Sequence, residues 1–293
     1  MRSSYPPKRR VSLSVAIPAS LVSDIPHLRE KTLKIGLIGR ALAIFRVDEI
    51  IVYPDIPSQD QTKDAALIGA ILSYMETPQY LRRRLFKIRP EFRYVGILPP
   101  LRTPHHPIQN RERDLKIGEY REGVVVSSDG KGVNIDVGVE RPVFVPNVQV
   151  KINSRVTVRI RKKEKTLIGE LADPEEIPIY WGYRVNICKF SLGRLLKDRK
   201  NDLIIATSRR GDPIMKVADK LSERWKESKS VLVAFGSPTQ GLQEIVRQKG
   251  IKLEMVSHFI VNTVPNQGVE TVRTEEALYA TLAILNTLGI EGT

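Results

Sequence analysis

Leu203-Ile204-Ile205-Ala206-Thr207-Ser208-Arg209-Arg210-Gly211-Asp212-Pro213 joins an unbroken apolar run to a polar, glycine-ended loop. An apolar run without alternation belongs to a strand covered on both faces, as in the middle of a parallel sheet. Asp212 and Pro213 then read as the N-cap and first-turn residue of a helix. That helix is predicted to bury Val217, Leu221 and Trp225, four residues apart. The same unit recurs downstream. Residues 231–235 read as a strand and 241–249 as a helix; 255–261 read as a strand and 275–288 as a helix with Leu278, Leu282 and Leu285 inward. Strand–helix alternation of this period predicts an α/β domain with a parallel sheet.

The N-terminal part has the same grammar. Residues 13–17 form a predicted strand closed by Pro18, and 49–53 a second closed by Pro54. A helix is predicted over 31–45, with Leu33, Leu37, Ile38, Ala41, Leu42 and Phe45 near one face. Another over 61–76 is apolar nearly all round at 65–72, the mark of a buried helix. That stretch is too short to span a bilayer, and Ser12 and Ser14 interrupt any leader-like core after the basic N-terminus. The expectation is a cytoplasmic protein without a membrane anchor.

Between these parts the pattern changes. Pro99, Pro100, Pro104 and Pro107 mark an extended connector. Short β-type runs follow at 123–127, 133–137, 143–145, 155–160 and 167–171, separated by turn residues, which suggests a small barrel or sandwich. The expected organisation is therefore an α/β domain built from residues 1–80 and 179–293, interrupted by a β-rich insertion over 81–178.

The net charge of +14 is concentrated. Residues 81–116 hold ten Lys/Arg against three acids, and 151–165 hold seven against one. Such surfaces suit a polyanion, and the expected partner is RNA. Arg155, Arg159 and Arg161 alternate with Val156, Val158 and Ile160, so the arginines are expected outside the barrel and the aliphatics inside. With Lys163 they form a predicted phosphate-binding strip, to which Arg82, Arg83 and Arg84 are added. One cysteine, Cys188, precludes an intrachain disulfide and a cysteine-based zinc site, and no metal site is expected. The adjacent His105 and His106 are read as connector or RNA-contact residues.

Parallel α/β sheets bind ligands at the carboxyl ends of their strands. Three loops are placed there: 207–211; the run Phe235-Gly236-Ser237-Pro238-Thr239-Gln240-Gly241-Leu242; and the run Asn262-Thr263-Val264-Pro265-Asn266-Gln267-Gly268-Val269-Glu270-Thr271-Val272-Arg273-Thr274-Glu275-Glu276-Ala277. Known nucleotide signatures fail. Gly236 and Gly241 have P-loop spacing, but Leu242 stands where the lysine belongs. Asp136-Val137-Gly138-Val139-Glu140 lacks the later glycines and helix of a methyltransferase loop, and reads as a barrel turn.

The last two loops, together with Gly39-Arg40-Ala41-Leu42-Ala43-Ile44-Phe45-Arg46-Val47-Asp48-Glu49-Ile50, resemble the SPOUT-class RNA methyltransferases, in the uridine-N3 branch of archaea and eukaryotes. The resemblance covers nearly the whole chain. It implies a trefoil-knotted parallel sheet with an inserted OB-like barrel, a homodimer, S-adenosylmethionine as cofactor and ribosomal RNA as substrate. It also assigns the cofactor to the three loops: Thr207, Ser208 and Arg209; Phe235, Gly236, Ser237, Pro238, Gly241 and Leu242; Asn262, Thr263, Val264, Pro265, Gln267, Gly268, Val269, Thr271, Val272, Arg273 and Thr274. Glycines would admit close backbone approach, prolines would stiffen the loops, and Val264, Val269 and Val272 would meet adenine.

Thr274 is read as the N-cap of the last helix, with Glu275 and Glu276 in its first turn. Glu275 is also the candidate base for the uridine N3 proton. By resemblance to the arginine of the first SPOUT motif, Arg40 is the candidate for the target phosphate or developing charge. The rival reading is an RNA-binding ribosome assembly factor whose cofactor pocket is not catalytic.

Overall fold

A computed structural model of the chain describes residues 5–163, 165–248 and 250–288. The elements begin with β1 (Ser12–Pro18), α1 (Leu28–Ile44), β2 (Glu49–Tyr53), α2 (Thr62–Glu76) and α3 (Gln79–Leu85). Next come β3 (Tyr120–Asp129), β4 (Gly132–Asp136), β5 (Val143–Pro146), β6 (Arg155–Lys163) and β7 (Leu167–Ala172). Then follow β8 (Arg184–Ile187), α4 (Leu192–Asp198), β9 (Leu203–Pro213) and α5 (Ile214–Glu227). β10 (Ser230–Ala234), α6 (Leu242–Arg247), β11 (Phe259–Asn262) and α7 (Thr274–Leu288) complete the series. No helix among the described residues is long and apolar enough to cross a membrane.

The chain forms two compact units. The α/β unit holds Arg9–Ser73, Glu91–Pro100 and the chain from Tyr183 onward; the other holds Tyr74–Pro90 and Leu101–Gly182, with the N-terminal residues up to Lys8. Residues 91–100 thus belong with the α/β unit although they lie in the basic, proline-rich stretch. The reason is local: Leu98 and Pro99 lie so close to Gly36 that a Cβ there would approach them to 2.8 and 3.0 Å.

In the α/β unit six parallel strands run in the order β11-β9-β10-β1-β2-β8. One face is covered by α4 and α6, whose Leu192, Leu196, Leu242, Ile245 and Val246 cluster with Ala16, Ile51, Ile204 and Leu232 of the sheet. Elsewhere α7 contacts both α1 and α5. Its Leu278, Leu282 and Leu285 are buried as periodicity predicts.

Three expectations need correction. On α1 only Ile38, Ala41 and Leu42 of the predicted face are buried; Leu33 and Leu37 are 44% and 42% exposed, and Phe45 is half-buried beyond the helix. Asp212 lies in β9 rather than capping α5, which starts after Pro213 without a side-chain cap and buries Ile214 and Ala218 beside Leu221 and Trp225. The strand expected over 255–261 is confined to Phe259–Asn262, because Leu253–Met255 makes a single 3-10 turn.

The second unit contains a closed five-stranded barrel, β3-β4-β5-β7-β6. All pairs are antiparallel except β5 with β7. Val125, Val133, Ile135, Val143, Val158, Ile160 and Leu167 fill it. Gly169 faces inward, where a Cβ would come within 2.5 Å of Val158 and 2.7 Å of Val143. The Asp136–Glu140 stretch is a turn as expected: Gly138 has φ +79°, and Tyr80 lies where a Cβ would stand.

The outer wall of this barrel is not all solvent-facing. Arg155 donates to Glu76 through both terminal nitrogens, at 2.6 and 2.9 Å, and through Nε to Glu122 at 2.6 Å. Glu122 also accepts from Thr157 and from the Trp181 indole, each at 2.6 Å. The Nε2 atoms of His105 and His106 donate to the Glu76 carbonyl at 2.8 and 2.6 Å. Burial opposes ionisation of Glu76, but hydrogen bonds from His105 and Arg155 outweigh it and hold the carboxyl at about 2, below its usual 4.5. Burial, reinforced by the neighbouring His105, lowers His106 from 6.5 to about 3.

Both shifts act in the same direction. The unfolded chain takes up protons at these two sites before the folded chain does, so stability rises with pH across the window. For His106 it declines from about pH 6.5 toward about 3, and for Glu76 from about 4.5 toward about 2. Each proton contributes at most about 1.4 kcal/mol per pH unit. Thermal melts between neutral and acidic pH should show the midpoint falling with acidification, with a shallower fall in His106→Gln between pH about 6 and 4.

Candidate functional site

Between Ala206 and Asp212, β9 leaves its partner. Ala206 pairs with Ile260 and Asp212 with the next residue, Val261, so residues 207–211 bulge out of the ladder. Gly211 permits the return, since a Cβ there would lie 2.7 Å from the Ile260 carbonyl oxygen. The stretch read as a loop is thus an excursion within one strand.

Side chains brace this excursion against the other loops. Asn262 donates through Nδ2 to the Arg209 carbonyl at 2.9 Å and accepts through Oδ1 from Val264 N–H at 3.0 Å. The Arg209 guanidinium reaches the Glu270 carbonyl at 2.8 Å, which also accepts from Gln267 Nε2 at 2.9 Å. Thr207 donates to Ala234 O at 3.0 Å and Thr274 to Gly236 O at 3.3 Å. The buried Thr274 therefore ties α7 to the middle loop instead of capping its own helix. In the middle loop, Ser237 N–H donates to Gln240 O and Gln240 N–H to Ser237 Oγ, both at 3.0 Å, closing a turn over Pro238 and Thr239.

One cavity of about 300 Å³ opens among the three loops. From the first, Thr207, Ser208 and Arg209 line it; from the second, Phe235, Gly236, Ser237, Pro238, Gly241 and Leu242. From the third come Asn262, Thr263, Val264, Gln267, Thr271, Val272 and Thr274. Pro265, Gly268, Val269 and Arg273 are not among the lining residues, and Val269 is exposed to solvent. A Cβ on Gly241 would meet no atom within 4 Å, whereas one on Gly236 would crowd Gln240 O at 3.0 Å. The two glycines differ in purpose: Gly236 lets the loop close on itself, and Gly241 leaves space in the cavity.

Sequence reasoning placed Arg210, Gln240 and Glu270 in the loops without assigning them to the cofactor, and it missed Glu244; all four line the cavity. It also missed Tyr53, whose phenol donates to the Phe235 carbonyl at 2.5 Å from a fully buried position. Burial, with the nearby Asp55, raises the Tyr53 pKa well above its ordinary value, so it stays a donor. A tyrosine ending a buried strand could have signalled this role, since its hydroxyl requires a partner.

Neither residue singled out for chemistry lines the cavity. Arg40 donates to the Pro100 carbonyl at 2.5 Å. Glu275 lies 3.4 Å from Lys34 Nζ, with both side chains largely buried.

The residues proposed for RNA are dispersed by their contacts. Arg155, expected outside and available, is corrected to an internal ion pair, because the wall it faces is covered by Glu76, Glu122 and Trp181. Arg82 donates to the Thr77 and Met75 carbonyls at 2.8 and 3.0 Å. Lys163 donates to the Leu115 and Arg113 carbonyls at 2.7 and 3.1 Å. Arg83 is exposed, as are Arg84 and Arg161, which pair with Asp136 and Glu170. Arg159 lies over Tyr120.

A bulged parallel strand and two braced loops enclose one cavity at the carboxyl ends of β9, β10 and β11, a candidate ligand site. Residues 12–285 match the family described as "Putative RNA methyltransferase". The chain belongs to this RNA methyltransferase family. An uncharacterized protein of Haloarcula marismortui is 34% identical over 94% of this chain and 99% of its own length. The 28S rRNA (uridine-N(3))-methyltransferase of Homo sapiens is 32% identical, covering 94% of this chain and 78% of the human one. Its Drosophila melanogaster counterpart is 30% identical, covering 94% and 61%. Membership decides between the two functional readings in favour of the enzyme.

Tyr53→Phe should leave the Phe235 carbonyl buried and unpaired, at a cost of about 1–3 kcal/mol. Hydrogen exchange should show residues 235–241 opening more often than in wild type, ahead of the sheet.

Proposed function

We propose that the enzyme transfers a methyl group from S-adenosylmethionine to N3 of an unpaired uridine in ribosomal RNA. The observation that carries this reading is the convergence of three braced loops on one cavity in a chain of the RNA methyltransferase family. The names of the human and fly relatives support the uridine target. In this reading the α/β unit is a trefoil-knotted SPOUT domain. The barrel, whose β3-β4-β5-β7-β6 order suits an OB-like fold, is the RNA-binding insertion. The protein works in the cytoplasm.

The donor supplies a methyl group on a positively charged sulfonium. Leu242, Val264 and Val272 offer apolar walls to its adenine, and Gly241 leaves room beside them. Glu244 and Glu270 line the same cavity, and two acidic residues there suit a cationic ligand. Arg210, exposed and also lining the cavity, offers a cation to RNA phosphate. Arg40 and Glu275 stand outside this lining, so the work of transfer rests on position and on the oriented groups of the loops. The exposed Leu33, Leu37 and Ile44 share one face of α1 and support a homodimer through that helix.

Calorimetry should detect S-adenosylmethionine binding without RNA; no heat at millimolar donor would overturn the reading. Gly241→Phe places its ring where nothing crowds the Cβ, so the fold should persist while donor affinity falls at least about tenfold, or about 1.4 kcal/mol. Incorporation of tritiated methyl into RNA should fall with it. Arg83→Ala and Arg161→Ala should each reduce the log–log salt slope of RNA binding by about 0.7, measured by fluorescence anisotropy.

A further inference from the structure

Tyr120 of β3 and Arg159 of β6 are direct cross-strand partners on the barrel wall. The Arg159 guanidinium carbon lies 5.5 Å from the Tyr120 ring centroid. Tyr120 also meets Trp181 edge-on, with ring centroids 6.1 Å apart and planes at 72°. Trp181 in turn lies 5.8 Å from the buried His105 ring. The row is held from beneath: the Trp181 indole donates to Glu122, which Arg155 and Thr157 also hold.

The open side of the row has a different character. Arg159, Tyr120 and Trp181 are each half-buried. Lys116 and Ile117, just ahead of β3, and Arg161 and Lys162, which follow Arg159 along β6, are exposed. Arg155 is committed to buried carboxylates, whereas Arg161 pairs with the equally exposed Glu170 at the surface; Arg159, cross-strand from the same Glu170, lies over the Tyr120 ring with its Nε buried and without a hydrogen-bond partner. Aromatic faces interleaved with fixed cations suit bases joined by a phosphate chain. Bases within a duplex are already stacked on one another and cannot use such a surface.

We propose that Arg159, Tyr120 and Trp181 form a stacking platform for unpaired bases of single-stranded RNA, flanked by Arg161 and Lys162 on its phosphates. The proposal rests on the RNA-modifying reading above and adds base contact to what was a matter of charge alone. It accounts for a tryptophan at the surface of a barrel whose interior is aliphatic.

The chain has two tryptophans, and Trp225 is buried. Emission from Trp181 therefore reports on this surface, with the Trp181→Phe variant supplying the background. Oligouridylate and oligoadenylate single strands should quench it. Inorganic polyphosphate, and a short RNA duplex, should bind without quenching. Tyr120→Leu should weaken single-strand binding about tenfold and Tyr120→Phe should not, with the salt slope the same in both because no phosphate contact is lost. Equal quenching by polyphosphate and single strands, or wild-type affinity in Tyr120→Leu, would overturn the platform. The wild-type quenching result stands even if the leucine variant fails to fold. Absent donor binding in calorimetry would sink the transferase reading and leave a quenching result intact. Lost quenching with donor binding preserved would sink the platform alone.

Discussion

Five residues of β9, Thr207 to Gly211, have no partners on β11, although the two strands pair on either side of them. A parallel ladder cannot absorb that excess in plane, so the segment must leave the sheet at its carboxyl end. Once there its carbonyls and amides need new partners, because a backbone group without one is costly. Asn262 meets the Arg209 carbonyl, and Arg209 spans to Glu270. The cavity is the space these braces enclose. Its walls are set by hydrogen bonds among loops before any ligand arrives, which is the condition for positioning the proposed methyl donor rather than merely catching it.

The runs of β9 and β10 that deliver the first two loops are buried and aliphatic, so the frame is stiff where those loops emerge. Tyr53 links frame and loop directly, from the end of β2 to the Phe235 carbonyl. Thr274 does the same from α7 to Gly236. Contacts from β2, β9, β10, β11 and α7 thus bear on one pocket. A substitution at any of these residues should act through loop position, not through contact with the reacting atoms.

Charge in the second unit divides by what surrounds it. Arg155 is spent on Glu76 and Glu122, beside a His106 that burial keeps neutral. Arg83 and Arg161 remain exposed, and Arg159 lies over an aromatic ring. Equal arginines on alternate positions of one strand therefore have unequal uses. Local sequence shows only that they share a face; the segments that later cover part of that face decide which of them meets solvent.

Much of the molecule was legible along the chain. Unalternating aliphatic runs at β9 and β10 reported strands covered on both faces, and alternation in β6 reported a barrel wall. The three loops were found because loops after parallel strands must gather at one end, and most of the residues assigned to them line the cavity. What escaped was set by distant contact. Tyr53 lies far from Phe235 in sequence, Lys34 from Glu275, and Pro100 from Arg40, so no local period encodes those pairings. The sequence by itself determined most of the strands, a β-rich insertion of barrel or sandwich type, and the loops that gather after the parallel strands, since periodicity and turn chemistry are local. Only tertiary structure decided which side chains are free to act, because burial and ion pairing depend on segments that meet after the chain has folded.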